Sequence, residues 1–306
     1  MPVVEIADAV RVRVPAKINL HLAVGATRPD GFHELTTVFQ AVSVYDEVIA
    51  RAGDGMRLTA SGERARGVPV DATNLAWKAA AMLADHVGTD ADVLLELHKS
   101  IPVAGGMAGG SADAAGALVA CAALWRTGSS RVQLAELAAR LGSDVAFPLT
   151  GGTALGTGRG EQITPVLATG EYHWVFALAD FGISTADTYA ELDRMRAAGT
   201  APDPIGAPDE LLDALRAGDC GRLADALAND LQPAVMSLRP ELGDVLEAGV
   251  EFGALGGVVS GSGPTCAFLC AHADAARDLA EELDDAKVCG ATRVATAPAP
   301  GARITG

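Results

Sequence analysis

Four glycines in a run of small residues, PVAGGMAGGSADAA at 102–115, constrain this chain more than any other segment does, because a strand enters them and a helix leaves. DVLLELHKSIPV (92–103) reads as a strand running into the loop, and SADAAGALVACAALW (111–125) has the alanine-rich composition of a buried helix. Glycine lets successive N–H groups turn toward one concavity, and a helix N-terminus adds roughly half a positive charge. The natural occupant of such a cradle is phosphate. Two common versions of the cradle fail here. Gly105 and Gly110 fit the frame G-x-x-x-x-G, but Ser111 and Ala112 follow where a P-loop needs Lys and then Ser or Thr. G-x-G-x-x-G fails because Ala104 and Ala108 stand where a dinucleotide fingerprint needs glycine. The other reading is a tight strand-to-helix turn without a ligand, and four glycines exceed what such a turn needs.

The flanking segments supply the rest of an α+β pattern. Val10, Val12 and Val14 alternate with Arg11 and Arg13, the period of a half-buried strand, and PAKINLHL (15–22) continues as a second extended stretch. RPDGFHEL (28–35) has tight-turn chemistry, and TTVFQAVSVYDEVIA (36–50) is rich in β-branched and aromatic residues, so a hairpin-like sheet is predicted. TNLAWKAAAMLADHV (73–87) is the first helix, with Asp71 or Thr73 as its N-cap. Ser129 or Ser130 caps RVQLAELAARL (131–141), which Gly142 stops. A second glycine-rich segment spans 143–161, and YHWVFALAD (172–180) is the strand that opens a second unit. At about 150 residues per domain, 306 residues make two, divided as 1–165 and 166–306. AAGTAPDPIGAPDE (197–210) reads as a surface loop and TAPAPGARITG (296–306) as a frayed tail.

Composition removes several functions. Against 23 Lys and Arg stand 39 Asp and Glu, a net charge of −16, which argues against nucleic acid and anionic membranes as partners. Five scattered cysteines without a C-x-x-C pair fit a reduced, cytoplasmic chain. No stretch reaches the ~18 apolar residues of a membrane span, and the N-terminal residues lack a basic leader. The six histidines form no H-E-x-x-H, so no zinc site is expected.

Three further places carry polar groups where packing alone does not ask for them. GGVVSGSGPTCAFL (256–269) sets Ser260, Gly261, Ser262 and Gly263 between two apolar runs; this is a second N–H-rich loop or a plain hairpin connection. Lys17 and Asn19 alternate on one strand and share a face, although an exposed edge-strand lysine would read the same way. Asp144 follows a helix stop and is equally an ordinary turn or N-cap aspartate.

Taken together, PAKINL, the glycine loop and VSGSGPTC resemble the three motifs of the GHMP kinases, the galacto-, homoserine, mevalonate and phosphomevalonate kinases, in the family's order. The resemblance implies a two-domain α+β fold: an N-terminal domain like ribosomal protein S5 domain 2, a C-terminal ferredoxin-like α/β sandwich, and an active site in the cleft between them. It implies ATP as phosphoryl donor with Mg2+, held by Pro102, Val103, Ala104, Gly105, Gly106, Met107, Ala108, Gly109, Gly110, Ser111 and Ala112, with Asn74 nearby and the Ser111 hydroxyl close to phosphate or magnesium. Lys17 and Asp144 are the implied catalytic pair.

Within the family, AKINLHL, RPDGFHEL and LGSDVAFPLTGGTALGTGRGE are similar to the branch whose substrate is a cytidine diphosphate-linked methylerythritol. Phe32 and His33 are then implied to hold the cytosine, with Tyr189 as a second aromatic and Asn19, Thr185, Gly261, Ser262 and Gly263 around the remainder. A homoserine- or mevalonate-type kinase and a non-catalytic nucleotide-binding regulator on the same fold are the alternatives. Monomer or homodimer is expected. Met107 and Ala108 stand where the family more often has Leu and Gly, and Ala112 replaces a second serine. Its Cβ should keep Ala108 away from positive φ.

Overall fold

The valine alternation at the start of the chain builds one long strand rather than two. Residues 9–103 and 105–305 are described by the structure, a computed structural model; Ala104, expected at the nucleotide, lies outside them. Strand β1 (Ala9–Thr27) runs through PAKINLHL without a break and turns at Gly31, whose φ of +83° only glycine adopts freely, into β2 (His33–Ala52). The pair is antiparallel, with register shifts after Pro15 and after Asn19, so Lys17 and Asn19 stand between two irregularities that re-aim the strand locally.

The chain continues through β3 (Met56–Ser61), α1 (Leu75–Val87), β4 (Val93–His98), α2 (Gly109–Leu124), α3 (Arg131–Leu141), α4 (Ala146–Thr150), β5 (Thr153–Thr157) and β6 (Gln162–Pro165). The N-cap of α1 is Asn74, not Asp71 or Thr73: its side chain accepts from Ala76 N at 2.8 Å and donates to Pro69 O at 2.7 Å. Asp71 instead orders the preceding turn through Thr73. Ser130 caps α3 in a reciprocal capping box with Gln133.

Next come β7 (Tyr172–Leu178), α5 (Thr185–Ala197), α6 (Asp209–Ala217), α7 (Cys220–Asp225), β8 (Ala228–Asn229), α8 (Gln232–Leu238), α9 (Glu241–Glu251), β9 (Gly256–Val259), β10 (Cys266–Cys270), α10 (Ala273–Ala286), β11 (Ala291–Ala297) and β12 (Arg303–Ile304). One sheet has the order β12-β1-β2-β4-β3, with β5 and β6 added beside β2 and β8 beside β1. The second has the order β11-β7-β10-β9. Helices α1 and α2 bury alanine and leucine faces on the first sheet, while α9 and α10 cover Val175, Phe268 and their neighbours on the second. Trp174 joins the sheets, its fully buried indole N–H donating to Gln40 Oε1 at 3.1 Å.

The C-terminal segment is not frayed. Ala299 N donates to Ala41 O and Gly152 N to Ala299 O, both at 2.8 Å, and β12 pairs with β1. Ala297, Ala299 and Ala302 are buried, which explains the composition: a proline- and alanine-rich stretch without long side chains fits flat against a sheet edge. The five cysteines are free, and burial pushes the Cys121 and Cys266 thiols up to about 12. Among the described residues no helix is long and apolar enough to cross a membrane.

Candidate active site

One cavity of about 970 Å³ collects most of the residues singled out above. Its floor is the middle of β1. Lys17, only 4% exposed in spite of its charge, donates to Asn19 Oδ1 at 2.6 Å and lies 3.3 Å from Asp144 Oδ2. Asn19 Nδ2 donates to Thr37 Oγ1 at 2.8 Å, and that hydroxyl donates to His21 O at 2.7 Å. Lysine is therefore held by a chain of hydrogen bonds rooted in the β1–β2 ladder, and the edge-strand reading of Lys17 is wrong. Asp144 arrives on the turn between α3 and α4, its side chain one-third exposed toward the cavity.

A second wall is the glycine loop and the first turn of α2, where Pro102, Gly105, Gly106, Ala108, Gly109, Gly110 and Ser111 line the cavity. The first turn of α2 carries no acidic side chain, which leaves its N–H groups and partial positive charge to a ligand. Gly106 answers to packing as well: at φ +73° its missing Cβ would lie 2.0 Å from Ser260 O, and Ser260 Oγ donates to Gly106 O at 3.0 Å. The loop is thus locked onto the SGSG segment. Ala108 departs from the expectation, because it stands at φ +57°, ψ +36° as the N-cap of α2. The loop enters α2 by a left-handed step, and closure against Ser260 and Ile101 overrides the local preference of alanine. Ala108→Gly is expected to raise stability by up to about 1 kcal/mol, since the strain of the left-handed residue slightly exceeds the unfolded-state cost of glycine. Chemical denaturation at unchanged m-value checks it.

Several expected nucleotide residues do not reach the cavity. Met107 is 1% exposed in the core, offering only its carbonyl to Lys17 N at 3.4 Å; Ala112 is likewise buried in α2. Val103 is exposed outside the cavity, and the Asn74 side chain is spent on the α1 cap, so its neighbour Leu75 lines the wall instead.

The opposite wall comes from α5 and the SGSG loop. Ile183, Ser184, Thr185, Ala186, Tyr189, Ala190 and Asp193 put one helical face and one helix N-terminus on the cavity. Thr185 Oγ1 meets Ser262 Oγ at 2.9 Å, and Gly261, Ser262 and Gly263 complete the lining. Asn229, which nothing in the linear sequence singled out, fixes this loop by donating to Val259 O at 2.8 Å and Gly261 O at 2.7 Å. Tyr189 stacks on His33, centroids 5.0 Å apart, so its direct partner is the imidazole and not Phe32, which stands half-exposed at the lip. His33 Nε2 lies 2.9 Å from Asp193 Oδ1. An imidazole that donates there presents Nδ1 as an acceptor. Burial, reinforced by the charge of Asp144, pushes the Tyr189 phenol well above its ordinary range, so it stays a donor.

Beneath the glycine loop lies a buried triad. Lys99 donates to Asp46 and, at 2.5 Å, to Asp113 Oδ2, and reaches Gly109 O at 3.4 Å. Asp46 Oδ1 accepts from Ser100 N at 2.6 Å and Ile101 N at 2.9 Å, the residues that lead into the loop. Burial alone would lower the Lys99 ammonium, but the two carboxylates outweigh it and hold it above its usual value. Asp113 is pushed up by burial and by Asp46, and its Oδ1 has no hydrogen-bond partner among the described residues.

Residues 74–153 match the family profile "GHMP kinases N terminal domain" and residues 211–288 match "GHMP kinases C terminal". The chain belongs to the GHMP kinases. A 4-diphosphocytidyl-2-C-methyl-D-erythritol kinase of Mycobacterium tuberculosis is 56% identical over 97% of this chain and 93% of its own length. One from Thermobifida fusca is 57% identical over 97% of this chain and 98% of its own. A crystal structure of a 4-(cytidine 5'-diphospho)-2C-methyl-D-erythritol kinase superposes with a TM-score of 0.74 at 32% identity, covering 93% of this chain and 98% of that one. A homoserine kinase from Cytophaga hutchinsonii has a TM-score of 0.78 at 19% identity, a likeness of fold alone.

Proposed function

We propose that this chain transfers the γ-phosphoryl group of ATP to the 2-hydroxyl of 4-diphosphocytidyl-2-C-methyl-D-erythritol, in the non-mevalonate route to isopentenyl diphosphate. The observation that carries the reading is the meeting, in one cavity, of a lysine–carboxylate pair, the free N-terminus of α2 and the His33–Tyr189 stack. Phosphoryl transfer asks mainly for positioning and charge neutralisation, and an alcohol acceptor also needs its proton removed. The triphosphate lies along Gly105, Gly106 and Gly109–Ser111 at the positive end of α2. The substrate oxygen attacks Pγ, the bond from Pγ to the bridging oxygen breaks toward ADP, and the hydroxyl proton passes to Asp144. Lys17 lies within reach of both oxygens and stabilises the charge that develops on them. Asn19 holds Lys17 in register, and the Nδ1 acceptor of His33 suits the exocyclic amine of cytosine, with the neighbouring rings supplying stacking area.

Magnesium bound to the nucleotide would neutralise phosphate charge, and the Ser111 hydroxyl is the side chain that would meet it; among the described residues no group of three His, Cys, Asp or Glu gathers. The reading treats 1–165 and 166–306 as two units, supported by β6 ending the first sheet at Pro165 and β7 opening the second at Tyr172, with β8 and β12 crossing back. It keeps a cytoplasmic monomer or homodimer, as expected from the sequence.

ADP release from MgATP, measured in parallel with the cytidylyl alcohol, homoserine and mevalonate, tests the reading. Turnover with the cytidylyl compound alone is expected. Turnover with homoserine or mevalonate in its place discards the base pocket, and ATP binding without any turnover points to a regulator.

A further inference from the structure

The cavity has to hold polyanions inside a protein of net charge −16, yet Lys17 and Arg159 are the only lysine or arginine among the described residues that line it. Lys17 is committed: it is buried, donates to Asn19 and faces Asp144. Arg159 is only loosely engaged. Among the described residues its guanidinium makes no hydrogen bond, and its ion pair with Glu161 is a long one, 3.7 Å from Nε to Oε1, which leaves the two terminal nitrogens to a ligand.

Its placement is built. The turn joining β5 to β6 carries Arg159 between two glycines at φ +73° and +101°, Gly158 and Gly160. Gly158 O accepts from Leu35 N at 2.7 Å, which pins the turn two residues beyond His33, and Arg159 N donates to Glu161 Oε2 at 2.6 Å. From there the guanidinium reaches over the Phe32 ring, 4.9 Å from its centroid. At the other side of the turn, a Cβ on Gly160 would come within 3.9 Å of the Ser143 side chain, the residue before Asp144. The turn that carries Arg159 therefore lies between the aromatic end of the cavity and the carboxylate end, with the guanidinium on the aromatic side.

A substrate whose base lies at the aromatic end and whose reacting hydroxyl lies at Asp144 must lay its bridging diphosphate across that stretch. We propose that Arg159 is the specificity-determining cation that grips this diphosphate with its planar fork while resting on Phe32, an inference that rests on the reading of the substrate given above. Guanidinium suits the task because its donors match two phosphate oxygens at once, whereas a lysine there would act as a point charge.

Cytidine and CDP, as competitive inhibitors, separate phosphate recognition from base recognition. In Arg159→Ala, KM for the cytidylyl alcohol and the inhibition constant of CDP are both expected to rise about ten- to a hundred-fold. Inhibition by cytidine and KM for ATP stay at the parent values. Arg159→Lys, which keeps the charge and the fold, is expected to recover part of the CDP affinity. Equal weakening of cytidine and CDP would overturn the proposal in favour of support for the Phe32 ring, and unchanged CDP affinity in both variants would overturn it outright. A parent protein that neither turns over the cytidylyl alcohol nor binds CDP would overturn the substrate reading itself, and the proposal with it.

Discussion

Asp144→Asn is expected to lower kcat about 10²–10⁴-fold, the range general-base catalysis contributes, while KM for ATP stays within a few-fold of the parent. The amide keeps the shape of the carboxylate and its place on the turn after α3, so little else changes. Lys17 keeps its hydrogen bond to Asn19, and the lost ion pair has a one-third-exposed partner, so the fold is not at risk. A thermal unfolding midpoint close to the parent's, measured beside steady-state kinetics, separates lost chemistry from lost structure. Parent-like kcat in this variant would remove the proton-transfer role and leave Lys17 and the helix dipole as the only electrostatic contributors.

Much of this site was legible in the linear sequence, for a physical reason. The glycine loop, the Lys17–Asn19 alternation and the SGSG loop are each local patterns, in which a few neighbouring residues fix a backbone shape. Their convergence needed the resemblance, because nothing in a strand's period says which loop will face it. Residues whose meaning depends on distant partners escaped. Arg159 reads as one more charged residue in a turn until Phe32 is placed beneath it. Asn229 sits in a two-residue strand, and its two carbonyl partners are thirty or more positions away. The tail at 296–306 misled by composition, since short apolar residues describe a segment docked on a sheet as well as a frayed one. Ala108 misled through a valid local rule, overruled by a loop that closes on Ser260. The helix at α4 hid inside a glycine-rich stretch whose glycines, Gly151 and Gly152, follow it.

The largest loss of stability is expected from Lys99→Met. Lys99 lies between two buried carboxyl groups, Asp46 and Asp113, and the negative charge they carry is tolerable out of water only while the ammonium is there to balance it. Without it the change costs about 3–5 kcal/mol, enough to leave many domains of this size unfolded at moderate temperature. Asp113→Asn is the informative partner. The triad sets two carboxyl groups against one ammonium, and the unpartnered Asp113 Oδ1 marks which of the two keeps its proton. Burial raises Asp113 from an ordinary 3.8 to about 8, so the folded state keeps a proton that the unfolded state has already released. The stability this confers is complete below 3.8 and is lost as pH rises through about 8. Asparagine removes that titration. Asp113→Asn should therefore unfold with a flatter pH dependence across this window than the parent and lose far less stability than Lys99→Met. Lys99→Met should gain relative to the parent as acid protonates its stranded carboxylates. Urea unfolding of the three proteins at several pH values decides the matter: a parallel pH dependence in parent and Asp113→Asn would mean that Asp113 is fully ionised against Lys99. The triad would then be an ordinary ion pair with a spectator.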